Sequence, residues 1–195
     1  MNTIGPARFG ELLARHDPHR GDRLLTILDT QLEGISLIDA DLSGCVFARC
    51  RLVGAVLQHC QLVTSQIFDC VFDDCRLRSC DLHKAELNGS DLRGVDFTGS
   101  EMSRCELIGA DLRGANLTSC VLDWAWLIDC DLRDAVLEHA SFRGTRIAEA
   151  KLYNTRRFAL GPHDQSRVER VDLSPAGDGS VIVDGDELWK TLSTP

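Results

Sequence analysis

The residues with the most chemistry in them are nine cysteines. Thiolates bind zinc and attack electrophiles, and paired thiols form disulfides. The spacing argues for none of these. Cys45, Cys50, Cys60, Cys70, Cys75, Cys80, Cys105, Cys120 and Cys130 all fall on multiples of five. No Cys-x-x-Cys pair occurs, so the usual zinc spacing is missing, and an odd number does not close into a disulfide set. They read as small apolar fillers on a structural period, so Cys70→Ala or Cys80→Ala is expected to be mild. His16 and His19 stand three apart in what reads as a solvated loop around Pro18, while His59, His83 and His139 fall at outward positions. Asp73 and Asp74 offer neighbouring carboxylates for acid–base work, with no pocket in a filled core to raise a pKa. Neither Gly-x-x-x-x-Gly-Lys nor a Gly-x-Gly-x-x-Gly between strand and helix occurs. The expectation is a protein without metal, cofactor or catalysis.

The period that holds the cysteines must come from the elements that carry them. Every fifth residue from Leu32 to Leu152 is large and apolar, without exception. Two places earlier in each unit stands a small or modest residue, from Ala40, Cys45 and Cys50 through to Ala150, with Ile35 and Val95 the larger cases. A helix repeats near 3.6 residues and a strand at 2, so a strict five fits neither. The small and large members lie two apart and face the same way, as in a strand. The odd residue then forces a corner before the next pair can point inward. Glycine recurs at that corner, at Gly94 and Gly114 among others, where a left-handed backbone is easily adopted. The chain must coil around its own core. Asp91-Leu92-Arg93-Gly94 and Asp111-Leu112-Arg113-Gly114, with Asp131-Leu132-Arg133-Asp134 close behind, recur every 20 residues, which suggests four units per coil.

Ala110-Asp111-Leu112-Arg113-Gly114 and Ala115-Asn116-Leu117-Thr118-Ser119 resemble the A(D/N)Lxx units of the pentapeptide repeat family. The resemblance covers about residues 30–155 and implies an all-β fold: a right-handed quadrilateral β-helix, or pentapeptide repeat solenoid. The expected organisation is an N-terminal capping segment (1–26), the β-helix (27–155) and a C-terminal tail (156–195). Counting units from Leu32 gives just over six coils, in a rod about 30 Å tall. Pro6 to Leu13 reads as a short helix with Phe9, Leu12 and Leu13 on one side. Beyond Asn154 the period stops; Val168–Leu173 and Ser180–Val183 read as a hairpin, and Asp186–Lys190 as the start of a last short helix.

Net charge is −9 and the pI about 5.1. An acidic surface repels nucleic acid directly. It suits solubility, a basic partner, or imitation of nucleic acid before a protein that binds it. No basic segment followed by an apolar one opens these residues, and no apolar run approaches a membrane span, so a cytoplasmic protein is expected, with no membrane and no direct nucleic-acid binding. Some small acidic members of the family resemble a DNA duplex in width and charge and bind DNA gyrase or related topoisomerases, protecting them from quinolones or other poisons. The resemblance implies that reading here. Against it, the 19 acidic and 12 basic residues from Gln31 to Asn154 spread over four faces. Asp91, Asp111 and Asp131 stack beside Arg93, Arg113 and Arg133, and such ladders largely cancel.

A sharper feature lies on one face. Outward there, one place after each large residue, come Ala48, Phe68, Asn88, Ile108, Ile128 and Ala148, with Val46 and Trp126 beside them and Trp124 at the adjoining corner. A contiguous apolar stripe in water marks a contact surface. Coverage by the chain's own tail or N-terminal segment, self-association into a homodimer, and docking of a different protein are its three uses, with Phe68, Ile108, Trp124, Trp126 and Ile128 the candidate contact residues. The function expected is a non-catalytic protein-binding module, either a gyrase-directed DNA mimic or a structural or adaptor protein, such as one associated with secretion or effectors, that docks through this face. Leu188, Trp189 and Leu192 could serve a dimerising tail.

Overall fold

The computed structural model describes residues 2–20, 24–155, 166–177, 179 and 181–183. Its strands are β1 (Asn2–Ile4), β2 (Thr26–Leu28), β3 (Thr30–Glu33), β4 (Ser36–Ile38), β5 (Val46–Ala48), β6 (Arg51–Val53), β7 (Val56–Gln58), β8 (Gln66–Phe68), β9 (Val71–Asp73) and β10 (Arg76–Arg78). Five more follow: β11 (Trp126–Ile128), β12 (Arg146–Ala148), β13 (Arg167–Glu169), β14 (Val171–Asp172) and β15 (Ile182–Val183); α1 spans Pro6–Leu13. The strands stack in parallel at a spacing of 20 residues, as in Phe47 beside Ile67 and Leu52 beside Phe72. The four-unit coil expected from the repeats is therefore present, and the fold is a quadrilateral β-helix.

Each coil bonds to the next through its backbone. Leu42 N–H donates to the Gln61 carbonyl at 2.7 Å, and Gln61 N–H donates to the Ala40 carbonyl at 2.9 Å. The first face carries β2, β5 and β8, continues through single bridges at Glu86 and Glu106, and resumes as β11, β12 and β13. The second carries β1, β3, β6 and β9, then Asp91, Asp111, Asp131 and Lys151. The third carries β4, β7 and β10, and the fourth is built of bridges alone, from Asp41 to Ser141. Large residues such as Leu82, Leu92, Leu112 and Leu127 fill the interior with no exposure.

The corners come in two kinds. At Leu82 the carbonyl accepts the N–H of Ala85 at 2.9 Å, closing a tight turn. The corners after Phe47, Ile67 and Leu77 lack that bond, which leaves a carbonyl and an N–H without a partner in their own coil. The next coil supplies both. Cys70 Sγ–H donates to the Phe47 carbonyl, Ser90 Oγ–H to that of Ile67 and Ser100 Oγ–H to that of Leu77, at 3.5, 3.2 and 2.6 Å. Cys50 N–H donates to Cys70 Sγ, Cys70 N–H to Ser90 Oγ and Cys80 N–H to Ser100 Oγ. Buried backbone groups need such partners. The cysteines are buried as expected, and several are also rungs between coils.

The helix read at Pro6–Leu13 is present, and the ends carry more of the coil than the count from Leu32 allowed. Ile27 is buried in register with Phe47, so the coil opens one unit before Leu32. Beneath it β1 pairs in parallel with β3, and α1, begun by Pro6, buries Phe9 and packs Leu12 and Leu13 against the core. His16 is half-buried instead of lying in a solvated loop: its Nδ1 accepts the N–H of Leu25 at 3.1 Å, and Cys45 Sγ lies 3.6 Å from Nε2. At the other end β13 stacks in parallel on β12, with Val168 beside Ile147. The hairpin read over Val168–Leu173 is thus confined to β14, which pairs antiparallel with β15. An open coil top needs apolar cover, and Val168 and Val171 continue the inward series to provide it. With both additions the β-helix makes about seven turns, against six counted from the repeats. The short helix read at Asp186–Lys190 lies outside the described residues.

Candidate protein-docking face

On the first face, Trp126 and Ile128 flank inward Leu127, placing both side chains outward from one strand. Trp126 stands above Glu106 and below Arg146. Trp124 sits at the preceding corner with φ +63°. For a residue with a Cβ this left-handed conformation costs about 1–2 kcal/mol, and a bulky aromatic is an uncommon occupant. The coil above makes room for it. A Cβ on Gly144 would lie 2.5 Å from Trp124 Cε3, so only glycine there lets the indole lie over the backbone. Trp124 and Trp126 remain 51% and 47% exposed. With Arg104 and Glu106 beneath them they line a surface pocket of about 290 Å³.

Ile108 and Ile128 continue the apolar surface beside the tryptophans, while Ala148 above them is buried. The column is broken below. Asn88 turns its side chain into the backbone, Oδ1 accepting the N–H of Ile108 at 2.8 Å. Phe68, half-buried, lies beyond that break with Ala48 and Leu28. The structure therefore groups Ile108, Trp124, Trp126 and Ile128, and leaves Phe68 in a separate lower patch. Leu28, 48% exposed, belongs to that lower patch and was missed because the sorting began at Leu32. Arg104 and Glu106, also missed, are one coil below the tryptophans and follow directly from the 20-residue spacing.

Charge is arranged differently on the first and second faces. On the second, Arg93, Arg113 and Arg133 each grip the aspartate two places before them, at 2.6, 2.6 and 2.5 Å. Arg93 and Arg113 also lie 3.7 and 3.8 Å from the aspartate one coil on. The Arg93 hydrogen bonds hold the Asp91 carboxyl below the usual range. Burial pushes Asp131 upward, but hydrogen bonds from Arg133 outweigh it and the result is again a lowered value. Around the tryptophans, by contrast, Arg104, Arg143 and Arg167 have no ion-pair partner among the described residues, while Arg146 pairs with Glu169 at 3.4 Å.

The interior offers little room for a ligand: the cavity between the lower core rows holds about 20 Å³. Among the described residues no three His, Cys, Asp or Glu side chains converge as metal ligands would. No helix among them is long and apolar enough to cross a membrane.

The model of the pentapeptide repeat region matches residues 30–117, and that of pentapeptide repeats in eight copies matches residues 120–156. The chain belongs to the pentapeptide repeat family. Among solved structures it is similar to HetL of the cyanobacterium Nostoc sp. strain PCC 7120, a pentapeptide repeat protein involved in heterocyst differentiation regulation. Identity is 23% and the TM-score 0.43, over 76% of this chain and 64% of HetL. The chain thus spans less than two thirds of HetL. It is also similar to QnrB1, a plasmid-mediated fluoroquinolone resistance protein, at 15% identity and TM-score 0.42, over 87% of this chain and 98% of that one. Rfr23 of the cyanobacterium Cyanothece 51142 follows at 19% and 0.26, over 59% and 85%. At these values nothing about activity carries across. A comparison with curated proteins gives no match.

Proposed function

We propose that this pentapeptide repeat protein is a non-catalytic rod that binds another protein through its first face, as a structural or adaptor component. The observation that carries the reading is Trp124. Left-handed φ is the rule at these corners, from Asp29 to Asn154, so what singles out Trp124 is its half-exposed indole and the glycine above that makes room for it, which favour a contact role over packing. Tryptophan and arginine are the side chains that most often anchor protein interfaces. The test is a scan of single alanines at Ile108, Trp124, Trp126 and Ile128, and at Phe68, against alanines at Arg93 and Arg113. Proteins that co-purify with the wild type should be lost from the tryptophan variants and kept by the ladder variants. Equal loss from both sets would remove the reading.

A second reading, a DNA mimic acting on gyrase, is favoured by the net charge of −9. The paired ladders weigh against it, since they neutralise the column of aspartates that would imitate phosphates. Gyrase supercoiling with the purified chain titrated in, with and without a quinolone, separates the two. Inhibition or protection at micromolar levels that weakens with salt would establish mimicry; absence of effect leaves the docking rod.

A further inference from the structure

We propose that two copies of this chain pair through the first face, side by side and antiparallel, about a two-fold axis that passes between their Trp126 side chains. The proposal rests on the reading of this face as a contact surface. One vertical column carries it. Parallel pairing places Glu86, Glu106, Trp126, Arg146 and Arg167 above one another, one per coil. The column is acidic for two coils below the indole and basic for two coils above it. Glu86, Glu106 and Arg167 have no ion-pair partner among the described residues, and Arg146 reaches Glu169 at 3.4 Å. A closed dimer needs a patch that complements itself, and this column does so in one orientation. With the axis across the rod at the height of Trp126, the copies run in opposite directions, and each height below the indole meets the same height above it. Coils are evenly spaced, about 4.8 Å apart. Glu106 then faces Arg146 of the second copy and Glu86 faces Arg167, each pair formed twice. Parallel copies would set Glu against Glu and Arg against Arg, so charge selects the antiparallel arrangement.

The neighbouring columns agree. Trp124 stands between Arg104 below and Gly144 above. The two-fold sets Arg104 against Gly144 of the second copy, where no side chain obstructs it. On the other side of the axis column, Ile128 meets Ile128, and exposed Ile108 meets Ala148, which is small and buried. Four half-exposed indoles therefore close on the axis, and their rings leave water together. From Glu86 to Arg167 the contact runs about 19 Å along the rod. So narrow a face suits a reversible dimer and not a permanent one. A different protein that takes the tryptophans does so at the expense of this dimer.

Sedimentation velocity of the full chain, from micromolar to several hundred micromolar, is the test. Wild type should pass from monomer to dimer across that range, and Trp126→Ala should stay monomeric. Glu106→Arg and Arg146→Glu, each checked for fold by circular dichroism, should be monomeric alone, because each meets like charge on its second copy. Mixed in equal amounts, the two should form a heterodimer at least tenfold more readily than either self-associates, since both contacts then join opposite charges. A mixture that fails to associate overturns the proposal. So does a dimer that persists in Trp126→Ala, which would be joined elsewhere on the rod. Wild type that stays monomeric while partner capture still depends on Trp126 overturns the dimer alone, whereas capture indifferent to Trp126→Ala removes the contact surface beneath it.

Discussion

At the scale of single residues, the cysteines show both how far a five-residue period can be read and where it stops. Their inward direction and lack of metal spacing follow from position alone. Their hydrogen bonds do not, because whether a corner closes on itself or borrows a partner from the next coil depends on backbone angles that the repeat does not encode. Cys70→Ala is therefore expected to cost more than a filler would. It leaves the Phe47 carbonyl and the Cys50 N–H without partners in the core, a loss of about 1–2 kcal/mol. Cys70→Ser should recover most of it, since Ser90 makes the same two bonds one coil on from Cys70. Urea midpoints of the three proteins decide, and an alanine variant as stable as wild type would return the cysteines to plain filler. Burial pushes the thiols of Cys45, Cys120 and Cys130 up to about 12 and that of Cys75 to about 11. Cys50 and Cys60 are shifted the other way, their thiols lowered by hydrogen bonds with Cys70 and Cys80, and are shielded by burial alone. The native protein should accordingly resist an aromatic disulfide reagent at pH 8 and react only on unfolding. Prompt modification while folded would contradict the burial.

At the scale of the element, the coil and the helix α1 were legible and the capping strands were not. Leu92 and Leu112 are at 0% exposure, so Leu92→Asp or Leu112→Asp places a carboxylate in a filled core and should prevent folding. A soluble, cooperatively melting aspartate variant would refute the inward assignment. The capping strands escaped the repeat because they need only one apolar residue in register with the adjoining coil: Ile4 in β1 and Val168 in β13 provide it outside any five-residue series. The Asp–Arg ladder of the second face makes a pH prediction. Its Asp91 and Asp131 carboxyls titrate below their ordinary value of about 3.9, so their contribution is complete above that pH and is lost as pH falls through the lower folded values. Melting temperature should be flat above about pH 5 and drop below about pH 4. The drop should be modest, because exposed pairs contribute about 0–1 kcal/mol each. A melting temperature that rises on acidification would invert the sign. Gly144→Ala belongs to this scale too: the new Cβ collides with the indole of Trp124, so the pocket should be lost while the rod, with its core untouched, still melts cooperatively.

At the scale of the whole molecule, about seven turns make a rod some 34 Å tall with a side-chain-filled interior, so the proposed recognition falls to its outer faces. Sorting the sequence by twenties brought Ile108, Trp124, Trp126 and Ile128 onto one surface before any coordinates. It did not show that Asn88 cuts Phe68 away, because an asparagine that bonds to the backbone and one that faces water look alike in sequence. The Asp–Arg ladder was legible from its 20-residue recurrence; that Arg104, Arg143 and Arg167 have no ion-pair partner among the described residues was not. That contrast supports the proposed contact surface on the first face over one on the second. The most direct test is the affinity of a purified partner for the wild type, for Trp126→Ala and for Asp111→Asn, each at low and moderate salt. Trp126→Ala should weaken binding tenfold or more, about 1.4 kcal/mol, while Asp111→Asn should stay within twofold and salt should have little effect. Binding that survives Trp126→Ala but falls with Asp111→Asn and with salt would contradict docking through the first face, and would mean that the partner reads the rod by its charge.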